Sequence, residues 1–223
     1  MLLLRVLMKT PPSRCRCAFT LLEVLVIVTV GFLMLFALLP VLAQYQLRHR
    51  RHDYCAMNLK QIGTAFRVWQ GDNNDKLPMD VPVALGGAQE MIAPGNVVDC
   101  FQVMSNELAT PKLLVCSMDQ QHVYPTNFGP CLTITNISYF LALHGTQSPP
   151  QTILSGDDNL LQNDRLVSPG IINLAISMAT WTNARHHGAG NILLMDGSVQ
   201  TVAQIGFVSS PGTWFATNRI VIP

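Results

Sequence analysis

The sequence predicts an α+β protein, with a long N-terminal helix, first transmembrane and then amphipathic, packed on a small antiparallel-sheet head. Three observations predict it. From Phe19 to Ala43 there is no Lys, Arg or Asp, and Glu23 is the single charge. From Gln44 the chain has no Gly until Gly63, and no Pro between Pro40 and Pro78. Beyond Cys131 it turns to β-branched and aromatic residues punctuated by Gly, Asp and Asn, and it carries a hairpin signal at Asp196-Gly197.

The first element is the apolar run. About 20 apolar residues cross a bilayer as a helix, and residues 19–43 suffice. A carboxylate inside such a segment costs about 3 kcal/mol in lipid. Glu23 therefore either sits at the headgroup edge or takes a cationic partner, such as the free N-terminus of a neighbouring subunit. Val41-Leu42-Ala43 before Gln44 also fits the small-residue pattern of ordinary signal peptidase, but the apolar core is longer than secretory signals carry. Basic residues stand on both sides of the run: Arg5, Lys9, Arg14 and Arg16 before it, Arg48, Arg50 and Arg51 with His49 and His52 after it. The positive-inside rule does not decide the orientation.

Composition fits an exported, membrane-anchored chain. Its 223 residues suit one anchor and one globular domain. Charged residues make up only 12%, and mean hydropathy is +0.29. The net charge of +1 falls to −3 without the four cations that precede Phe19, and nothing points to a nucleic-acid partner. Starting at Met8 gives a short basic leader in place of the apolar residues 1–7. Residues 1–18 are set aside as a leader. Residues 19–43 form the transmembrane part of the helix, 44–72 its continuation, and 73–223 the head.

The continuation is amphipathic: Tyr54, Asn58, Ile62, Phe66 and Trp69 share a face, widened by Leu59 and Ala65. Pro40 is placed to kink the helix, and Gly71-Asp72-Asn73-Asn74-Asp75 ends it. Those oxygens suggest calcium, but the Gly and distal Glu of an EF-hand loop are missing, so a solvated helix stop is the simpler reading. Residues 76–96, rich in Pro and Gly, read as a connection along the head surface. Val97, Phe101, Met104 and Leu108 predict a helix with Asn96 as its cap. Lys112 to Cys116 reads as a strand. Strands are also expected within Leu132–Leu143 and at Gln151–Ser155, with Gly156-Asp157-Asp158-Asn159 as the turn. Ile171 to Ile176 is apolar without a clear assignment. The tail, with Trp214, Phe215, Ile220 and Val221, packs as a last strand or cover.

Cys15 and Cys17 belong to the leader. Cys55, Cys100, Cys116 and Cys131 permit three pairings, and spacing does not choose among them. A disulfide from Cys55 on the helix to Cys116 on the strand is favoured, with four buried thiols as the alternative. Their spacing does not match a zinc site.

The sharpest motif in the head is Arg185-His186-His187-Gly188, leading to Asp196-Gly197-Ser198-Val199. Two β-prone runs flank Asp196-Gly197, so this pair is expected to be a hairpin turn. His186, His187, Asp157 and Asp196 are also candidate ligands or acid–base groups. An extended strand, however, separates His186 from Asp196 by about 30 Å. No nucleophile elbow, phosphate loop or His-Glu-x-x-His is present. No catalytic residue, cofactor or metal is expected.

The basic leader, Ala18, Phe19-Thr20-Leu21-Leu22-Glu23 and the apolar helix resemble the signal of type IV prepilins and type II secretion pseudopilins. His186, nine residues, then Asp196-Gly197 resembles the His-x9-Asp-Gly signature of prepilin-type processing-associated proteins. Asn58–Gly63, Gly71–Asp75, Thr110–Cys116, Ile137–Phe140 and Ile153–Asp157 are similar to segments of larger members from planctomycete- and verrucomicrobial-type bacteria. The resemblance implies cleavage by a prepilin peptidase between Ala18 and Phe19, methylation of Phe19, and Glu23 as the assembly carboxylate. The family normally has Gly where Ala18 stands. Implied partners are that peptidase, other pilin-like subunits and the inner membrane, crossed once with the N-terminus cytoplasmic and the head in the periplasm or outside. The expected function is a non-enzymatic subunit of a type II secretion pseudopilus or type IV pilus. Two alternatives stay open: a tethered or secreted binding protein that never polymerises, and a metal-dependent hydrolase using the His186 region.

Overall fold

The computed structural model describes residues 20–143, 149–174, 178–206 and 219–223, without the side chains of residues 47–52. The leader with Cys15, Cys17 and Ala18 lies outside the described residues, as do Phe19, Ile176, Trp214, Phe215 and the side chains of Arg48, His49, Arg50, Arg51 and His52.

The chain divides into two compact units after Leu47. Helix α1 runs Leu21–Asp72, with Pro40 inside it. In the first unit, Leu21–Gln46 is long and apolar enough to cross a membrane, and none of it is buried within the chain.

In the second unit α1 contributes one buried stripe: Cys55, Leu59, Ile62, Ala65, Phe66 and Trp69. The stripe begins at Cys55 rather than at the expected Tyr54, which is 52% exposed. Asn58 reaches from the stripe's edge and donates to the Val115 carbonyl at 3.1 Å. After Asp72 the amides of Asn73 and Asp75 both bond the Gln70 carbonyl. Asn74 and Asp75 are left-handed, a conformation short polar side chains tolerate.

The expected surface connection is exposed at residues 83–86 and 89–91 but also sends side chains into the core. Leu77, Pro78, Met79, Val81, Ala88 and Ile92 are buried. Two 3-10 turns, Pro78–Asp80 and Val83–Leu85, and helix α2 (Gln89–Ile92) satisfy the backbone there, so the segment can leave water without orphaned amides. The expected helix after Asn96 forms in two pieces, α3 (Val97–Val103) and α4 (Ser105–Leu108). Asn96 caps the first by accepting from the Val98 amide. The strand expected at Lys112–Cys116 is a 3-10 turn over Pro111–Leu114. Thr110 caps it and Pro111 presets its first φ, and these local effects win over strand propensity.

The strands are β1 (Tyr139–Ala142), β2 (Ile153–Asp157), β3 (Leu160–Gln162), β4 (Arg165–Leu166), β5 (Gly170–Asn173), β6 (Ala179–Trp181), β7 (Gly190–Leu194), β8 (Val199–Val202), β9 (Gln204–Ile205) and β10 (Arg219–Ile222). Among the described residues they make two antiparallel sheets, ordered β5-β10-β1-β2-β7-β8 and β4-β3-β6-β9. The second sheet goes beyond the single small sheet expected. Alternation along β1 shows the layering. Tyr139 and Leu141 pack with the α1 stripe, whereas Phe140 and Ala142 pack with Leu160, Ala179 and Trp181 of the second sheet. The larger sheet is thus covered on both faces by apolar side chains, which is why β1, β2 and β7 are buried at every position.

Candidate functional site

Three segments meet beside the end of β2: Cys116–His122, Asp157-Asp158 and Arg185-His186. Within each dipeptide the two side chains take different partners. Asp157 and His186 pair on one side, with His186 Nε2 3.4 Å from Asp157 Oδ2. Asp158 and Arg185 pair on the other, with Nη1 donating to Asp158 Oδ1.

The His186 side is sealed. Both side chains of the Asp157–His186 pair are wholly buried. Cys116, joined to Cys55 in a disulfide, places its Sγ 3.3 Å from the same Nε2. Asn191 donates to Asp157 Oδ2 from its backbone amide at 2.7 Å and from Nδ2 at 3.1 Å. Thr201 donates to Asn191 Oδ1 at 2.8 Å, which orients the Asn191 amide. Trp181 Nε1 donates to the Asp157 carbonyl at 3.0 Å. Gly190 is required beneath that indole, since a Cβ there would lie 2.1 Å from Trp181. Burial pushes the Asp157 carboxyl up to about 7, although the Asn191 amides and the Arg185 charge pull the other way.

The Arg185 side opens to a cleft of about 540 Å³ lined by Asp119, His122, Asp158, Arg185, Leu166 and Ile222, among others. Arg185 is 4% exposed and bridges Asp119 and Asp158. His122 Nδ1 is 2.6 Å from Asp119 Oδ2, and its Nε2 is 3.7 Å from Asp158 Oδ2. Ser138 donates to Asp119 Oδ2 at 2.7 Å. Burial pushes the Asp119 carboxyl up, but His122, Arg185, Ser138 and the Gln121 amide together outweigh it and hold Asp119 well below the usual range. Asp158 goes the other way. Its burial dominates, and Arg185 and His122 only partly offset the rise. Asp119, His122 and Asp158 are close enough to share a cation, but the Arg185 guanidinium already supplies positive charge to both carboxylates.

The sequence motif is explained by two tight turns that flank β7. His187 and Gly188 are both left-handed and bring His186 and Ala189 into a bridge, as a two-residue hairpin turn requires. That turn aims His186 inward and leaves His187 exposed. At the other end, Asp196-Gly197 closes the β7–β8 hairpin. Asp196 Oδ1 accepts from the Ser198 amide at 2.8 Å, and Gly197 is left-handed beneath the Arg67 guanidinium. Asp196 is exposed in its turn while His186 is buried in the core, so the two motif residues do different work.

Glu23 is satisfied within its own helix turn. The Thr20 amide donates to Glu23 Oε2 at 2.9 Å and the Thr20 hydroxyl at 3.0 Å, while the Glu23 amide donates back to Thr20 Oγ1 at 3.3 Å. This is a capping box, readable as Thr-x-x-Glu before an apolar run. Sequence reasoning missed it, and it missed Asp119, His122, Ser138, Arg185 and Asn191 as partners. Asp119 and His122 stand three residues apart in one segment, but Asp158 and Arg185 come from segments far along the chain, so no local signal announced the cluster.

No protein-family model matches the chain, and neither curated proteins nor solved structures give a match.

Proposed function

We propose that the chain is a membrane-anchored, pilin-like subunit, processed before Phe19 and assembled into a pseudopilus or pilus through Glu23. The observation that carries this reading is the helix segment Leu21–Gln46, apolar, unburied and bearing one carboxylate in its first turn. Such a surface needs lipid or other helices around it. The capping box supports the reading too. It gives Glu23 a local partner while the subunit waits in the membrane, and a neighbour's terminal amine would take that carboxylate over on assembly. The reading places the N-terminus in the cytoplasm and the disulfide-bonded head in an oxidising compartment. His186 serves the head's interior, packed against a disulfide, and no catalytic role is assigned to it.

The test is Glu23→Ala in cells, with filament fractions and head folding followed together. Loss of the subunit from filaments with an intact, oxidised head is expected. Unchanged incorporation overturns the assembly role. The cleft beside Arg185 favours one second reading, a tethered binding protein. That reading expects an unprocessed anchor at Ala18 and no filament in any background.

A further inference from the structure

We propose that Cys55, Cys116 and His186 form a redox-gated binding site for a thiophilic divalent cation of the zinc type, closed by the disulfide and opened when it is reduced. The sulfurs and one His186 ring nitrogen lie within 4.8 Å of one another, and all three residues are buried. His186 Nε2 is 3.3 Å from Cys116 Sγ. A tetrahedral zinc shell places sulfur and nitrogen about 3.6 Å apart, so this pair needs little adjustment. Asp157 supplies a fourth donor in reach, with Oδ2 3.4 Å from the same nitrogen. Zinc-bound nitrogen and oxygen stand about 3.3 Å apart. The other Asp157 oxygen, Oδ1, is buried with no hydrogen-bond partner among the described residues. An unmet buried carboxylate oxygen is costly, and a nearby cation offsets that cost.

The donors sit on secure supports. Cys55 lies on α1, Cys116 follows the Pro111–Leu114 turn, Asp157 ends β2, and His186 enters the His187-Gly188 turn. Reduction needs only to let the two sulfurs swing apart to the about 3.8 Å of a tetrahedral edge. The expected mismatch with zinc came from linear cysteine spacing, whereas this donor set is assembled over long range.

The chemistry balances. A dithiol transfers two electrons and two protons, the Cys55–Cys116 bond breaks to two thiols, and the dithiol closes to its own disulfide. Cation binding then releases both thiol protons to solvent, with any proton held by Asp157 or the imidazole, leaving two thiolates, a carboxylate and a neutral imidazole on the metal. The head is thereby cross-linked by metal under reducing conditions and by sulfur under oxidising ones. The inference is independent of the filament reading.

The experiment uses the full chain in detergent, with Cys15, Cys17, Cys100 and Cys131 changed to Ser. Oxidised and dithiol-reduced protein are titrated with Co²⁺ and then Zn²⁺ after removal of the reductant under argon. One Co²⁺ per reduced chain is expected, with thiolate-to-cobalt charge-transfer absorption, displaced by one Zn²⁺. The oxidised chain should give no such absorption. His186→Ala should weaken Co²⁺ binding by about 10- to 100-fold or more. Because that variant can also disturb the core, zinc-edge X-ray absorption of the same reduced Cys→Ser chain with His186 intact supplies the second readout, with two sulfurs and an imidazole nitrogen expected. A shell without nitrogen, equal binding by the oxidised chain, or no binding by the reduced chain overturns the proposal.

Discussion

His186 Nε2 stands 3.3 Å from the sulfur of Cys116, which is bonded to Cys55 on helix α1. One imidazole therefore touches the covalent tie between helix and turn, and through Asp157 it also touches the end of β2. His186→Ala removes that contact and leaves the Asp157 carboxyl with less compensation. The expected loss is about 1–3 kcal/mol of head stability, read from urea unfolding of the oxidised protein. An unchanged midpoint would show that the pair contributes nothing.

Arg185 holds two carboxylates at once. Replacing one partner of a buried ion pair leaves uncompensated charge, so Arg185→Met should cost about 3–5 kcal/mol. Adding Asp119→Asn and Asp158→Asn should recover part of that loss. Calorimetric melting of the single and triple variants tests the coupling.

Breaking the disulfide frees a loop between positions 61 residues apart. The Cys55→Ala, Cys116→Ala double variant should lose about 2–4 kcal/mol. The comparison is made in denaturant under oxidising conditions, where the parent keeps its bond.

Asp119 carries an acid-linked share of stability. Its folded carboxyl is held below the ordinary range, so its contribution is complete above the unfolded pKa and is lost as pH falls through the folded value. Stability of the parent should fall on acidification below about pH 4, and Asp119→Asn should flatten that limb at a lower overall stability. Asp158, shifted up by burial, contributes the opposite slope and remains in the variant. An identical acid limb in both proteins would remove Asp119 as its source.

Much of the long helix was legible locally. Its apolar run, its amphipathic continuation and its stop at the Asp- and Asn-rich turn all follow from residue order. The capping box of Thr20 and Glu23 is written in the same local order but was overlooked. Asp196-Gly197 announced its hairpin, although the loop runs over residues 195–198 and only Gly197 takes the positive φ expected of both positions, and Asn96 announced its cap. Segment 76–96 was read in part: Pro and Gly suggested a surface loop, which holds at residues 83–86 and 89–91, while its apolar residues take the rest into the core. Lys112–Cys116 was misread because β-prone residues follow a capped Pro that sets a 3-10 turn. The second sheet stayed hidden because β3, β4, β6 and β9 are only two or three residues long, too short to show an alternating run.

By itself the sequence determined what is local: an apolar helix with one carboxylate near its start, the helix's end, and the turn at Asp196-Gly197. Period, capping and positive φ act over a few residues, so a linear reading captures them. Only the tertiary structure decided that Asp157 meets His186, that Asp158 and Asp119 share Arg185, and that Cys116 joins both clusters. Those contacts arise where the packing of α1, the Pro111–Leu114 turn and β2 brings together segments tens of residues apart. Burial there raises Asp157 while hydrogen bonds lower Asp119, because desolvation and partner number are properties of the assembled core and not of residue order.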